Sequence, residues 1–345
     1  MQLFNTVYGR NLIGELPAIL PRPYLVVTME DLWPLLGAPL VDTADVHFVR
    51  TLDRDELEAI VAELPPCEAV VGLGGGQAID VAKIVATRRR VPLFQVPTSM
   101  SVNAPFGHRA AVRIDGVVRY VGWKVPEAVF VDYDVVQAAP PLLNRTGVGD
   151  IFCYHTAHWD WKFAESIGRC EPKWPYDELW VGRARAVLDS VTDGLDEIRE
   201  CTENGIRTLM EGLRWGGAAF SNAGWNPRSI EGAEHAFFYS LELNTRKHYI
   251  HGQPVGLGIL LTSAMQDNEP ERMRDAMDRV GLPYAPEAMG ITWDDVDDAL
   301  RGMKEFAERN DLWYTIAAHQ DITDDFLARA KAWLTAPPDT RFARG

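Results

Sequence analysis

Residues 70–83 read VVGLGGGQAIDVAK and place a run of glycines between an apolar strand and a helix. Glycine lets a backbone approach a ligand closely, and a helix N-terminus offers unpaired N–H groups with a partial positive charge. Both features are typical of a site for the pyrophosphate of a dinucleotide. The order departs from G-x-G-x-x-G, because Gln77 stands where the third glycine would be. A tight strand-to-helix turn without a ligand is the alternative interpretation.

The segments around this turn predict an α/β domain. Apolar runs predict strands and helical periodicity predicts helices, with strands at 24–28, 69–73, 92–96 and 128–131 and helices at 53–64 and 77–87. Continuous apolar strands separated by helices are typical of a parallel sheet that is covered on both faces. Apolar runs on either side of Asp115-Gly116 predict a hairpin over 110–121.

From about residue 146 the pattern changes to long helices, and no segment reads as a strand. Helices are predicted at about 149–165, 177–199, 202–220, 229–241, 253–267, 293–308 and 324–334. The prolines at 140 and 141 mark a natural junction. We therefore expect two domains: an α/β dinucleotide-binding domain with a parallel sheet over 1–145, and an all-α domain for metal and substrate over 146–345.

Composition excludes several classes of protein. The 345 residues carry a formal net charge of −15, which disfavours nucleic acid and anionic membrane surfaces as partners. We find no apolar run near the ~20 residues of a membrane span and no secretory leader. The four cysteines have no zinc or redox spacing. We expect a cytoplasmic protein with a small-molecule substrate, and the sequence allows a homo-oligomer.

A second loop with a candidate binding role follows the strand at 92–96. It contains Thr98, Ser99, Met100 and Ser101, so that small hydroxyl side chains stand at the carboxyl end of a predicted parallel strand. Ligands of open α/β sheets bind at that end. The loop is a candidate for holding the nicotinamide half of a cofactor, although the residues alone favour an ordinary polar loop.

One acid and two histidines are candidate metal ligands. Asp150 stands at a predicted helix start, and His235 and His251 lie at the edges of two others. One carboxylate and two imidazoles would leave coordination positions open, as catalytic metal sites do. The alternatives are a helix cap at Asp150 and buried core histidines. The pairs His155/His158 and His248/His251 also have helical spacing, and spacing alone leaves the choice open.

Five motifs in one order resemble a known superfamily. They are GGGQAIDVAK at 74–83, VPTS at 96–99, GVGD at 147–150, GAEH at 232–235 and HGQPVG at 251–256. Together they resemble the iron-containing alcohol dehydrogenase and dehydroquinate synthase-like superfamily, and within it the glycerol-1-phosphate dehydrogenase group. The resemblance covers most of the chain and is weakest before about residue 65 and after about residue 270.

The resemblance implies a dehydroquinate synthase-like fold and a specific set of site residues. NAD or NADP would be bound by two loops, through Gly75, Gly76, Gln77, Ala78 and Asp80 and through Thr98, Ser99, Met100 and Ser101. One divalent metal would be held by Asp150, His235 and His251. Zinc suits these ligands best, and iron or nickel would also fit.

Two positions depart from the family pattern. Asn103 stands where a substrate-contacting aspartate is usual, and Tyr239 stands where a second histidine often follows His235 by four residues. Both would contact substrate, so the polar groups that are recognised should differ. Glu30 and Asp31 follow the first predicted strand, where an acidic residue binds ribose hydroxyls, and this favours NAD over NADP.

The expected activity follows from the resemblance. It is a metal-dependent, NAD(P)-linked oxidoreductase that interconverts a small alcohol or polyol, phosphorylated or not, and its carbonyl. The alternative is a carbocycle-forming lyase of the dehydroquinate synthase kind, which uses NAD and metal without net redox change. The sequence has fewer of the extra basic residues that such a lyase needs for a phosphate-eliminating reaction. A binding protein without catalysis would be expected to lack a metal ligand.

Overall fold

A parallel sheet of six strands lies in the N-terminal part of the computed structural model, which describes residues 4–42, 44–222, 224–338 and 340–343. The strands in chain order are β1 (Asn5–Gly9), β2 (Tyr24–Thr28), β3 (Ala44–Phe48), β4 (Ala69–Gly74), β5 (Leu93–Pro97), β6 (Ala110–Ile114), β7 (Val117–Val121) and β8 (Ala128–Asp132). The sheet order is β1-β8-β5-β4-β2-β3, and β6 and β7 form a separate antiparallel hairpin.

Helices cover the sheet and form the rest of the chain. The first six are α1 (Leu12–Ile19), α2 (Trp33–Leu36), α3 (Arg54–Glu63), α4 (Gly76–Arg89), α5 (Tyr133–Ala138) and α6 (Pro141–Thr146). The next six are α7 (Gly149–Ser166), α8 (Glu178–Asp193), α9 (Leu195–Arg199), α10 (Glu203–Asn222), α11 (Ala233–Thr245) and α12 (Gly252–Met265). The last four are α13 (Pro270–Val280), α14 (Trp293–Arg309), α15 (Ile316–His319) and α16 (Asp324–Thr335). After β8, all regular elements among the described residues are helical.

The predicted fold class is confirmed, and the two strands that the sequence did not predict lie at the sheet edges. Strands β2, β4 and β8 are buried along their whole length, which explains their continuous apolar sequences. Strands β1 and β3 are only partly buried and read NTVYG and ADVHF. Edge strands face solvent on one side, so their composition is mixed and their signal is weak.

The helical half differs from prediction at several helices. Helix α11 runs from Ala233 to Thr245 where 229–241 was predicted, and α15 was not predicted. The predicted helix at 177–199 is wrong in its length, since α8 ends at Asp193 and α9 begins after Gly194. Helix α13 was not predicted. Its eleven residues carry many charges, yet Met273, Met277 and Val280 bury one face of it.

The chain forms two compact units, and each unit combines two separate stretches of sequence. The first consists of Met1–Asn144 with Cys201–Gly224, and the second of Arg145–Glu200 with Trp225–Gly345. Helix α10 joins the first unit because its side chains pair there: Tyr8 donates to Glu211 at 2.7 Å, and Arg207 donates to the Tyr133 hydroxyl at 2.8 Å. Within the described residues, no helix combines the length and apolarity needed to cross a bilayer.

His108 is a buried ionisable group of the first unit. Its ring lies edge-on to Trp123 at 5.0 Å and to Phe4 at 6.3 Å, and the residue is 0% exposed. Neither ring nitrogen has a hydrogen-bond partner among the described residues. Burial, with a smaller contribution from the charge of Lys83, lowers the pKa of His108 from 6.5 to about 4.

This histidine should make the fold sensitive to acid. The unfolded chain binds the His108 proton more tightly than the folded chain does. The free energy of unfolding therefore decreases as the pH falls from 6.5 towards 4. Between pH 7.5 and pH 5, the free energy of unfolding should fall by about 2 kcal/mol less in His108→Phe than in wild type. This figure follows from about 1.4 kcal/mol per pKa unit. Urea unfolding at pH 7.5 and pH 5 measures this difference. The exposed His248→Phe is the matched control, and equal losses in all three proteins would contradict the account.

Candidate metal centre and nucleotide loop

Three donor side chains of the second unit converge on one point. Asp150 lies in the first turn of α7, His235 in the first turn of α11, and His251 directly before α12. One ligand atom from each lies within 4.8 Å of the others, and Nε2 of His251 is 3.1 Å from Oδ1 of Asp150. A carboxylate and two imidazoles on one side of an ion fit an open, catalytic type of site.

Two glycines let the ligand-bearing helix ends approach each other. A Cβ on Gly252 would lie 1.8 Å from the carbonyl oxygen of Thr146, and one on Gly149 would lie 2.9 Å from Cα of Gly252. The backbones at the starts of α7 and α12 are therefore in direct contact. This contact sets Asp150 and His251, each one residue away from a glycine, within hydrogen-bond distance.

Carboxylates surround His235. Glu234 is 0% exposed, and its Oε1 accepts hydrogen bonds from Nδ1 of His235 at 2.9 Å and from the Gly232 backbone N–H at 2.6 Å. Burial alone would lower the pKa of His235, but the charges of Glu231, Glu234 and Asp150 together raise it to about 9. A cation at this place is thus electrostatically favoured. Sequence reasoning gave Glu234 and Glu231 no role, although Glu234 stands beside His235 in the GAEH motif.

Aromatic rings line the histidines. Phe238 meets His251 edge-on at 4.7 Å. Tyr239, the predicted substrate residue of this unit, lies one helical turn beyond His235, with its ring 6.1 Å from the imidazole and stacked on Phe306 at 5.8 Å. Two aromatic rings thus lie beside the histidines of the candidate metal centre.

A rival donor set shares His235. Cys153, Glu234 and His235 also have ligand atoms within 4.8 Å of one another. The Cys153 thiol, however, donates to the Ile230 carbonyl at 2.8 Å, and burial raises its pKa well above the usual range. A metal ligand must be the thiolate, and binding in this set would break the hydrogen bond from Cys153 to Ile230, which makes it the less favourable donor set.

The other candidate histidines lie elsewhere. Nε2 of His155 is 2.7 Å from the Asn268 carbonyl oxygen, and burial lowers the pKa of His158 to about 3. The side chain of His248 is 67% exposed. Across the described part of the chain, neither donor set includes any of these three.

In the glycine-rich turn between β4 and α4, the space beside Gly75 is open. Gly75 caps α4 in an extended conformation, and a Cβ there would meet nothing within 4 Å among the described residues. Gly74, in contrast, has φ 155°, a conformation that L side chains rarely adopt. Packing therefore does not explain glycine at position 75, whereas a ligand lying against the helix N-terminus does.

The second predicted loop lies directly beside this turn. The Thr98 N–H donates to the Gly74 carbonyl at 3.1 Å, and Ser99 donates to Ser101 at 3.2 Å. The Met100 side chain is 0% exposed, and its N–H donates to Asn144 at 3.1 Å. The structure thus brings the two predicted cofactor loops together at the carboxyl ends of β4 and β5.

Two predicted cofactor residues point into the protein instead. Asp80 is buried and accepts from Lys83 at 2.9 Å, and Lys83 also donates to the Arg109 carbonyl at 2.9 Å. Ala78 is 0% exposed in the core of the sheet domain. Gln77 is exposed and Asn103 is half-buried. The side chains of Asp80 and Ala78 therefore stabilise α4, and a cofactor contact there would use the backbone.

Known proteins are similar to this chain over nearly its whole length. The family model described as iron-containing alcohol dehydrogenase matches residues 36–140. A glycerol-1-phosphate dehydrogenase (NAD(P)+) of Thermofilum pendens is 31% identical over 319 residues, which cover 88% of this chain and 90% of that protein. The chain therefore belongs to the iron-containing alcohol dehydrogenase superfamily and, within it, to the family of the glycerol-1-phosphate dehydrogenases.

Solved structures share the fold. A probable glycerol dehydrogenase of Sinorhizobium meliloti has a TM-score of 0.73 at 23% identity, with 96% of this chain and 97% of that chain covered. Glycerol dehydrogenase of Schizosaccharomyces pombe has a TM-score of 0.70 at 18% identity, with 96% and 90% covered. The predicted dehydroquinate synthase-like architecture is thereby confirmed.

Adding one methyl group at position 252 tests the close contact between Gly252 and the Thr146 carbonyl. Gly252→Ala should push α12 away from Thr146, separate His251 from Asp150, and cost about 1–3 kcal/mol as an overpacked contact. We expect metal affinity to fall at least about tenfold, the lower end of the loss that is typical when a group that orients a metal ligand is changed. The measurement is metal content after dialysis, together with thermal unfolding.

Gly182→Ala is the matched control for this substitution. Gly182 is an exposed residue of α8, and its Cβ would meet no described atom within 4 Å. Alanine there should raise stability by up to about 1 kcal/mol and leave metal content unchanged. Full metal content in Gly252→Ala would contradict the proposed role of the glycine contact.

Proposed function

We propose that this protein is a metal-dependent, NAD(P)-linked dehydrogenase that interconverts a small polyol phosphate and its carbonyl form. The observation that carries the proposal is the convergence of Asp150, His235 and His251 within 4.8 Å. Relatives named glycerol-1-phosphate dehydrogenase support the class of reaction. Asn103 and Tyr239 are the residues that we propose to set which polyol is recognised.

The donor set fits the metal that this reaction needs. Asp150, His235 and His251 would hold one divalent ion, for which zinc is the best match, with iron or nickel as alternatives. When bound, the ion supplies Lewis-acid polarisation of the substrate oxygen, and the nicotinamide supplies the hydride acceptor. Glu234 orients His235 through Nδ1. The rings of Phe238 and Tyr239 lie beside the two histidines of this set.

We propose NAD as the preferred cofactor. Glu30 follows β2, and its exposed carboxylate is placed as the acidic residue that binds ribose hydroxyls in dinucleotide-binding sheets. Its partner is Arg50, with a side-chain nitrogen 3.3 Å from Oε2. Because a guanidinium binds phosphate well, Arg50 leaves NADP usable as the second choice.

Metal content and redox turnover test the proposed function together. Wild type should carry nearly one metal per chain and change NADH absorbance with a polyol phosphate or its ketone. His251→Ala should lose both, because two ligands hold a divalent ion weakly. His248→Ala, three residues away and exposed, is the matched control and should retain both. Product without any change in NADH would indicate a lyase, and a wild type that takes up no metal would overturn the proposal.

The open position at the glycine turn gives a separate test of cofactor binding. Gly75→Ala should weaken NADH binding about tenfold or more, because the methyl group takes the space left for the pyrophosphate. Thermal stability and metal content should not fall, since the Cβ meets no described atom within 4 Å. Fluorescence titration with NADH and NADPH measures both affinities, with NADH expected to bind more tightly. An unchanged NADH affinity would place the pyrophosphate elsewhere.

A further inference from the structure

A chain of buried hydrogen bonds runs from α7 to His235. The Thr156 hydroxyl donates to Oε2 of Glu234 at 2.6 Å, and Oε1 of Glu234 accepts from Nδ1 of His235 at 2.9 Å. Thr156 and Glu234 are each 0% exposed. The same hydroxyl lies 3.0 Å from the Cys153 carbonyl oxygen, which is a second acceptor at a longer distance. Either acceptor can take its single proton, and the shorter contact is the one with Glu234.

The same glutamate fixes the start of α11. Its Oε1 also accepts from the Gly232 N–H at 2.6 Å, and Oδ2 of Asp160 accepts from the Ala233 N–H at 2.8 Å. A Cβ on Gly232 would lie 2.7 Å from Glu234 Oε2 and 2.8 Å from Asp160 Oδ2. Two backbone N–H groups at this helix end are thus occupied by carboxylates, and the helix end is held against α7.

His235 is the residue that the two donor sets share. One set adds Asp150 and His251, and the other adds Cys153 and Glu234. The Nδ1 atom faces Glu234. A neutral imidazole that donates through Nδ1 has its lone pair on Nε2, and that nitrogen can then bind a metal.

We propose that Thr156 and Glu234 are positioning residues of the metal centre, which commit His235 to the set with Asp150 and His251. Thr156 orients the carboxylate of Glu234, and Glu234 holds the imidazole in the tautomer that leaves Nε2 for the ion. Metal-binding histidines commonly donate their second N–H to a carboxylate, and loss of that partner typically costs about 10–100-fold in metal affinity. The inference rests on the metal site proposed above.

The test compares Co²⁺ binding by metal-free wild type and three variants. Glu234→Gln removes the charge and one acceptor oxygen and should weaken Co²⁺ binding about 10–100-fold. Thr156→Val removes the hydroxyl at constant shape and should weaken binding by up to about tenfold, the lower end of that range. Thr156→Ser restores the hydroxyl and should bind as wild type does. The visible absorption band of the bound Co²⁺ should shift in Glu234→Gln and Thr156→Val only.

A purely structural role predicts a different result. It would lower the melting temperature of the metal-free variants but leave the Co²⁺ affinity and the band of the folded protein unchanged. Cys153→Ala separates the two donor sets, because our proposal expects unchanged Co²⁺ affinity and an unchanged band. Loss of Co²⁺ from Cys153→Ala would assign His235 to the other set and overturn the inference.

Wild-type protein alone provides a second route if a variant does not fold. With ¹⁵N-labelled histidine, the wild-type spectrum should contain one imidazole with a protected Nδ1–H that persists on addition of Zn²⁺, while its Nε2 signal shifts. A signal shift at the Nδ1 position instead would overturn the inference. Wild type that binds neither ion would overturn the metal site itself, whereas equal binding by wild type, Thr156→Val and Glu234→Gln would overturn only the positioning role.

Discussion

The candidate metal centre depends on one backbone contact, where the starts of α7 and α12 meet at Gly149 and Gly252. Any side chain at position 252 would collide with the Thr146 carbonyl, since even a Cβ would lie 1.8 Å from it. Asp150 and His251 adjoin these glycines, so the separation of the two ligands is determined by main-chain packing. Close-packed interiors transmit small displacements, and a ligand geometry built on such a contact is therefore held rigidly.

Buried acids give the site its chemical character. Asp150, Glu231 and Glu234 are each at least nine-tenths buried, and they surround two imidazoles. Burying this much negative charge is unfavourable unless a cation or proton compensates it. Burial itself raises the pKa of Glu231 above its usual range. A divalent ion would relieve this cost, which is a physical reason for the same residues to fold together and to bind metal.

The sequence predicted the parts of the fold whose signals are local. Strands buried on both faces, such as β2 and β4, read as continuous apolar runs, and the glycine turn was visible between a strand and a helix. Edge strands β1 and β3 were missed because their half-exposed residues resemble loops. The attachment of α10 to the first unit depends on pairs such as Tyr8 with Glu211, which are 203 residues apart and leave no local pattern.

The candidate site was predictable only in part for the same reason. The ligand set came from ordered motifs, while helical spacing alone could not separate His251 from its rivals. Thr156 has no sequence signal, because its partner Glu234 lies 78 residues further along the chain. Asp80 has two roles to which its sequence position gives unequal access: its place in a cofactor motif predicts a ligand contact, whereas its buried ion pair with Lys83 is visible only in the structure.

Anomalous X-ray diffraction at the zinc edge, from crystals grown with Zn²⁺, would locate the bound ion relative to both donor sets. We expect one strong peak bonded to Asp150, to Nε2 of His235 and to His251, with Nδ1 of His235 still on Glu234. A peak on Cys153 and Glu234, or one that lacks His251, would contradict the proposed metal centre.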